Sequence, residues 1–152
     1  MAPDTFAPLR AEELTDVRVP QRLLNYGGLV DAIAHRMVKD RIAVTKGLKA
    51  VGFGRWMLVH GNFYVHLKVS PTAWHEHGAT PLWCEYKCSE DVAQNLRAQL
   101  DGATLDGSGK AVVVRIPVRL KAGVERDGVI DDAVTQMRSI ADALLETCPA
   151  PD

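Results

Sequence analysis

The order of the periodic segments constrains the fold of this chain more than any other feature. A helical pattern comes first, three strand-like runs follow, and then come a second helix, a further strand and a last helix. Strand, helix and strand do not alternate regularly, as they would in a parallel sheet with crossover helices. The order therefore predicts an α+β fold, a mainly antiparallel sheet of about four strands with about three helices packed on one face.

The strand predictions depend on alternation of apolar and polar residues. Phe63–Val69 places Tyr64, His66 and Lys68 on one face, which predicts one core face and one wetter face. The connection His60-Gly61-Asn62 separates this run from Trp56–Val59 and is typical of a hairpin.

Two further strands are predicted downstream. The run from Leu82 to Lys87 has an aromatic on each face, so alternation alone leaves open which face is buried. The run from Val112 to Leu120 alternates strictly, and Pro117, which cannot donate a backbone hydrogen bond, favours an edge position.

Helical spacing predicts three helices, which divide the chain. The first runs from Leu29 to about Val44, the second from an N-cap at Ser89 to about Leu100, and the third from Gly128 to about Glu146. Residues 1–27, rich in Pro and charges and ending at Gly27-Gly28, are predicted to be an N-terminal arm. Residues 28–148 are predicted to form a single domain.

Composition excludes several classes of function. With 152 residues, 47% of them hydrophobic, and a formal charge of -1, the chain has no global field that attracts nucleic acid or an anionic membrane. The three cysteines make an odd count, which argues against a secreted disulfide framework and favours the cytoplasm. We see no signal peptide and no membrane-spanning run, and we expect a monomer or homodimer.

The segment Trp74–Cys88 is the densest in reactive side chains. His75, His77, Cys84 and Cys88 are zinc-type ligands, but their spacing matches no standard zinc motif. On one strand, Cys84 and Cys88 would lie about 13 Å apart, so they could share an ion only if the strand ended near Lys87. A bound metal is therefore a candidate and not the favoured interpretation, and no cofactor is favoured.

Glu85-Tyr86-Lys87 offers a second candidate chemistry. It places an acid and a lysine on one strand face, as in nucleases of the PD-(D/E)xK type, where the acid and an upstream Asp hold a divalent ion. No Asp occurs between Asp40 and Asp91, so the required partner is missing. The alternative left open is a metal-dependent hydrolase that uses Zn or Mg, Glu85 and Lys87 with His75 or His77.

The stretch from Trp74 to Trp83 resembles a signature, Trp, a spacer and then Gly-x-Thr-Pro-Leu-Trp, of uncharacterised bacterial proteins. Some of those proteins carry a PD-(D/E)xK nuclease-like domain ahead of it, and the similarity extends over roughly residues 50–146. The matching positions are Trp74, Gly78, Thr80, Pro81, Leu82 and Trp83. This chain has only about fifty residues before that region, without an Asp, Glu-x-Lys set, so the resemblance argues against a complete nuclease. It implies a structural and recognition element.

That element has a physical interpretation. Gly78 frees the backbone, Thr80 can bond locally and Pro81 fixes φ, so we expect a rigid loop that returns the chain to the sheet. Trp74 and Trp83 either pack in the core or leave one ring exposed as an anchor for a protein or a stacked base.

Arg115 and Arg119, with Lys121 and Lys68, could add a basic strip that contacts phosphates or an acidic partner. The leading hypothesis is a non-enzymatic recognition module that binds a protein or nucleic-acid partner through Trp74, Trp83, Arg115 and Arg119. An accessory role beside a nuclease or in a defence system follows from the resemblance alone.

Overall fold

The computed structural model describes residue 12 and residues 16–44, 50–51 and 54–148. Within these residues the helices are α1 (Arg18–Lys39), α2 (Pro71–His77), α3 (Glu90–Gln99) and α4 (Arg126–Thr147). The strands are β1 (Ala43–Val44), β2 (Ala50–Val51), β3 (Gly54–Val59), β4 (Phe63–Val69), β5 (Leu82–Cys88), β6 (Thr104–Asp106) and β7 (Val112–Val118). No helix in this part of the chain is long and apolar enough to cross a membrane.

All strands join one antiparallel sheet in the order β1-β3-β4-β5-β7-β6, with β2 also paired to β3. The predicted α+β class and the antiparallel sheet are therefore confirmed. The predicted counts of about four strands and three helices are too low, because β1, β2 and β6 have only two or three residues each and α2 only seven.

The core lies between one face of the sheet and three helices. α1 packs on β3 and β4, α3 packs on β7, and both helices contact α4. The inward side chains of the central strands are fully buried, among them Val65, Leu67, Cys84 and Val114. Because side chains alternate across a strand, every second residue of β3, β4, β5 and β7 points to the opposite face, which these three helices do not cover.

α1 begins eleven residues before the predicted start. It runs from Arg18 through Gly27 and Gly28, so the inner end of the predicted arm is helical, and the predicted extension beyond Lys39 is wrong. The apolar periodicity started only at Leu29 because the first turns of α1 lie mostly in solvent and bury no stripe. The rest of the predicted arm, apart from Glu12, Asp16 and Val17, lies outside the described residues.

α2 is the helix that the sequence prediction missed. Ser70 is its N-cap and accepts a hydrogen bond from the Ala73 N–H at 3.3 Å, and Pro71 occupies the first helical turn. Gly78 ends it in the left-handed region, at a φ of 73°, and donates its N–H to the Trp74 carbonyl. Ser-Pro at one end and Gly at the other were a readable helix signal, although the segment has no apolar stripe.

β7 is not an edge strand, which corrects the inference from Pro117. It lies between β5 and β6. β6, however, ends opposite Arg115, so among the described strands Pro117 has a neighbour only on the β5 side and lies locally at an edge of the sheet, where proline is tolerated. After the end of β7, the Gln136 side-chain amide accepts a hydrogen bond from the Arg119 N–H and donates one to the Arg119 carbonyl, at 2.7 Å each.

Candidate functional site

The candidate site is the sheet face that α1, α3 and α4 leave uncovered, which we call the open face. The strand registers place the following residues on it: Trp56, Leu58, Tyr64, His66, Lys68, Trp83, Glu85, Lys87, Asp106, Val113, Arg115 and Pro117. α2 lies against one end of this face, where the ring centroids of His77 and Trp83 are 5.6 Å apart. The remainder carries no described helix.

The turn between α2 and β5 is built around Trp83. The ring is 0% exposed, and its Nε1–H donates to the Thr80 carbonyl at 2.7 Å. The Thr80 hydroxyl donates to the carbonyl of Val118 at 2.8 Å and accepts from the Leu82 N–H at 3.3 Å. Trp83 is thus a core residue, and because its ring is buried it cannot be the exposed anchor that the sequence analysis considered.

Trp74 and Arg119, two other proposed binding residues, lie away from the centre of the open face. Trp74 is on α2, 39% exposed, and packs edge to face on Tyr26 of α1 at 6.0 Å. Arg119 follows the end of β7 and forms an exposed ion pair with Asp101 at 3.3 Å. The structure does not bring these two residues together with Trp83 at one surface.

Instead, two other aromatic residues are exposed at diagonal positions of the β3–β4 ladder. Trp56 is 43% exposed and Tyr64 59%. Trp56 stacks on the His66 ring opposite it, with centroids 4.3 Å apart and an angle of 6° between the planes. His66 in turn lies over Gly54, where an added Cβ would collide with its Nε2. The missing side chain of Gly54 therefore makes room for the stack.

Arg115 lies on the open face, on the polar side of β7 that the alternation predicted. It is not part of a free basic strip. Its Nε–H donates to Glu85 Oε2 at 2.8 Å, and its Nη1 lies 3.1 Å from Asp106 Oδ2. Lys68 Nζ lies 3.1 Å from the other oxygen of Glu85. The register explains this arrangement, because Arg115 is the direct partner of Glu85 on β7 and Lys68 lies on β4 diagonally from Glu85, two residues beyond its direct partner His66.

The four metal candidates do not converge. Cys84 points into the core from the helix-covered side, where burial and the charge of Glu85 raise the pKa of its thiol to about 12. Burial likewise raises the pKa of Cys88 to about 11. β5 continues through Cys88, so the two thiols stay four strand residues apart, while His75 and His77 are exposed on α2. Within the described ranges, no group of three or more His, Cys, Asp or Glu could hold a metal ion.

Glu85 and Lys87 do share the open face, as the hydrolase alternative requires. Both oxygens of Glu85 are engaged by cations, however, and its side chain is 14% exposed. Asp106 on β6 is a second carboxylate on the open face, which the sequence analysis did not identify as a companion of Glu85. Arg115, however, lies between Asp106 and Glu85. The carboxylates are arranged to neutralise cations of this chain, which is a poor starting point for binding a divalent ion.

His66, the more buried ring of the Trp56–His66 stack, should make the stability of the protein depend on pH. His66 Nε2 has no hydrogen-bond partner among the described residues, and burial, with a smaller contribution from Lys68, lowers the pKa of the imidazole. Because the unfolded chain then takes up the proton first, stability falls as pH drops below the ordinary histidine pKa of about 6.5. We expect His66→Phe, which keeps a ring but cannot titrate, to flatten this fall in urea unfolding measured between about pH 7.5 and 5.5. Equal slopes for the two proteins would contradict the assignment.

Sequence reasoning did not single out Trp56 or Tyr64. The alternation of β4 did put Tyr64 on the wetter face, and the hairpin turn sets which β3 residues lie beside it, so that signal was present. Our comparisons with known proteins add no assignment: no protein-family model matches this chain, and neither the curated proteins nor the solved structures contain a match.

Proposed function

We propose that this protein is a non-enzymatic recognition module that binds a protein partner on the open face of its sheet. The observation that carries the proposal is the exposure of Trp56 and Tyr64, diagonal neighbours on two paired strands, on a face with no described helix over its centre. Large aromatic side chains are costly to leave in water and are the residues that most often anchor protein interfaces.

The charges of this face favour a protein over a nucleic acid. Binding to a nucleic-acid backbone depends on several cations that each neutralise a phosphate. Here Lys68 and Arg115 are already paired with Glu85, and Arg115 also with Asp106. The chain as a whole carries a formal charge of -1. An accessory role beside a nuclease rests only on the signature resemblance.

The test is binding of peptides selected from a displayed library of random sequences. We expect Tyr64→Ala to weaken the binding of selected peptides at least about tenfold, because truncating an interface aromatic commonly costs more than about 1.4 kcal/mol. Tyr64 is the more exposed of the two rings, so the fold should persist, which circular dichroism and urea unfolding will check.

Trp74→Ala is the matched comparison, since Trp74 is an exposed aromatic outside the centre of the open face. If Trp74→Ala abolishes binding and Tyr64→Ala does not, the α2 segment is the site and the proposal is wrong. A library that yields no binding peptide also overturns it. Stoichiometric metal in the purified protein, with hydrolytic turnover lost in Glu85→Gln, would establish the rival hydrolase.

A further inference from the structure

β4 and β5 pair over only part of their length. Their ladder joins His66–Val69 to Leu82–Glu85, and the next two pairs in this register, Val65 with Tyr86 and Tyr64 with Lys87, do not form. β4 nevertheless continues its pairing with β3, and β5 continues with β7 to Cys88. The sheet therefore opens between Tyr64 and Lys87 into a gap that we call the split.

The split is closed on the helix-covered side of the sheet and accessible from the open face. On the helix-covered side, the Phe63 and Tyr86 rings pack edge to face with centroids 6.2 Å apart. Above them lies a cavity of about 410 Å³, lined by Trp56, Asn62, Tyr64, Glu85, Tyr86, Lys87 and Val113. Strand edges that lack a ladder partner offer backbone donors and acceptors to an added extended segment.

The rim of the split carries one uncompensated charge. Lys87 is exposed and, within the described part of the chain, has no carboxylate within ion-pair distance. Glu85, two residues away on the same face, is held by Lys68 and Arg115 instead. Trp56 and Tyr64 thus line the same cavity as Lys87, which is the one cation without an ion pair among its described lining residues.

These features fit a peptide better than a single-stranded nucleic acid. A nucleic acid would bring one phosphate per nucleotide to a surface with one free lysine beside a carboxylate. An extended peptide brings backbone groups to the strand edges and side chains at alternate positions. One such side chain could lie on Trp56 and Tyr64 while a neighbouring carboxylate reaches Lys87.

We propose that the split binds an extended acidic peptide segment, with an aromatic or apolar side chain on Trp56 and Tyr64 and a carboxylate on Lys87. This assignment rests on the proposed function and adds the chemistry of the partner. It makes Lys87 the specificity-determining residue of the open face and Tyr64 its affinity-determining residue.

The experiment compares two synthetic fluorescein-labelled peptides by fluorescence anisotropy, one alternating Asp with Phe and the other alternating Lys with Phe. We expect the wild type to prefer the acidic peptide. In Lys87→Glu the acidic peptide should weaken about fivefold and the basic peptide should gain, so that the preference reverses. Lys39→Glu is the matched control, because it makes the same charge change on α1, on the opposite side of the sheet, and should leave the preference intact.

Each other outcome overturns a defined part of the inference. Equal effects of Lys87→Glu and Lys39→Glu would show a nonspecific charge effect, and the proposed function would still stand if Tyr64→Ala weakened both peptides. Tighter binding of oligothymidine than of either peptide, lost in Lys87→Glu, would assign the split to nucleic acid. Self-association in sedimentation experiments that Lys87→Glu abolishes would assign it to a second copy of the chain. If neither peptide binds wild type, the assignment of an acidic peptide to the split fails, whereas the proposed function fails only if the displayed library also yields no binding peptide.

Discussion

Trp83→Ala is expected to lower the free energy of unfolding by about 4 kcal/mol, the largest effect of any single substitution considered for this protein. The indole is 0% exposed, and its removal would leave a large cavity beneath the turn between α2 and β5. It would also leave the Thr80 carbonyl without the donor that it accepts from at 2.7 Å. Urea unfolding followed by circular dichroism measures the change.

Two related variants keep this prediction testable even if Trp83→Ala does not fold. Trp83→Phe retains most of the buried ring but removes the N–H, and should cost about 2 kcal/mol. Trp74→Ala removes the second tryptophan of the same segment, which is 39% exposed, and should cost less than half as much as Trp83→Ala. Similar losses for Trp74→Ala and Trp83→Ala would show that Trp83 is not the centre of this turn.

Glu85→Ala is expected to lower the free energy of unfolding by about 2 kcal/mol, because it leaves two partly buried cations without their shared carboxylate. Lys68 and Arg115 are each 29% exposed, so both can turn partly toward water, which limits the loss. Asp106 remains for Arg115 but not for Lys68. Urea unfolding at low and high salt measures the effect, which salt should reduce only in part.

Asp131→Ala provides the matched control for Glu85→Ala. Asp131 lies 2.7 Å from Arg36, closer than either contact of Glu85, but in solvent. Exposed ion pairs add little to stability, so the loss should be clearly smaller than for Glu85→Ala. If the two substitutions cost the same, burial does not determine the strength of the Glu85 network. Catalytic turnover that vanishes in Glu85→Gln would instead support the hydrolase alternative.

Local patterns located most of the regular elements because each pattern reports burial along one strand or helix. β4 and α4 fall close to their predicted bounds, since alternation and the helical stripe extend over the whole of each element. The sequence analysis did not predict α2 because the residues that indicate this helix lie at its two ends. It did not predict the first turns of α1 because these turns are exposed to solvent and carry no apolar stripe. For the signature segment the sequence predicted a rigid loop, whereas its first residues, Trp74 to His77, are the end of a helix.

The candidate site was harder to predict than the fold, because exposure and pairing are properties of the whole sheet. Nothing local distinguishes Trp83, which is buried, from Trp56, which is 43% exposed. The covering α2 turn decides the first case, and the register between β3 and β4 decides the second. The same holds for Arg115, whose role as a partner of Glu85 depends on the pairing of β5 with β7.

Periodicity and turn chemistry were enough to predict the α+β class, the antiparallel hairpin and which residues share a face of each predicted strand. The exposed aromatics, the pairs of charges that neutralise one another and the point where β4 separates from β5 are visible only in the folded sheet. These properties depend on contacts between residues far apart in the chain, and no local pattern encodes them.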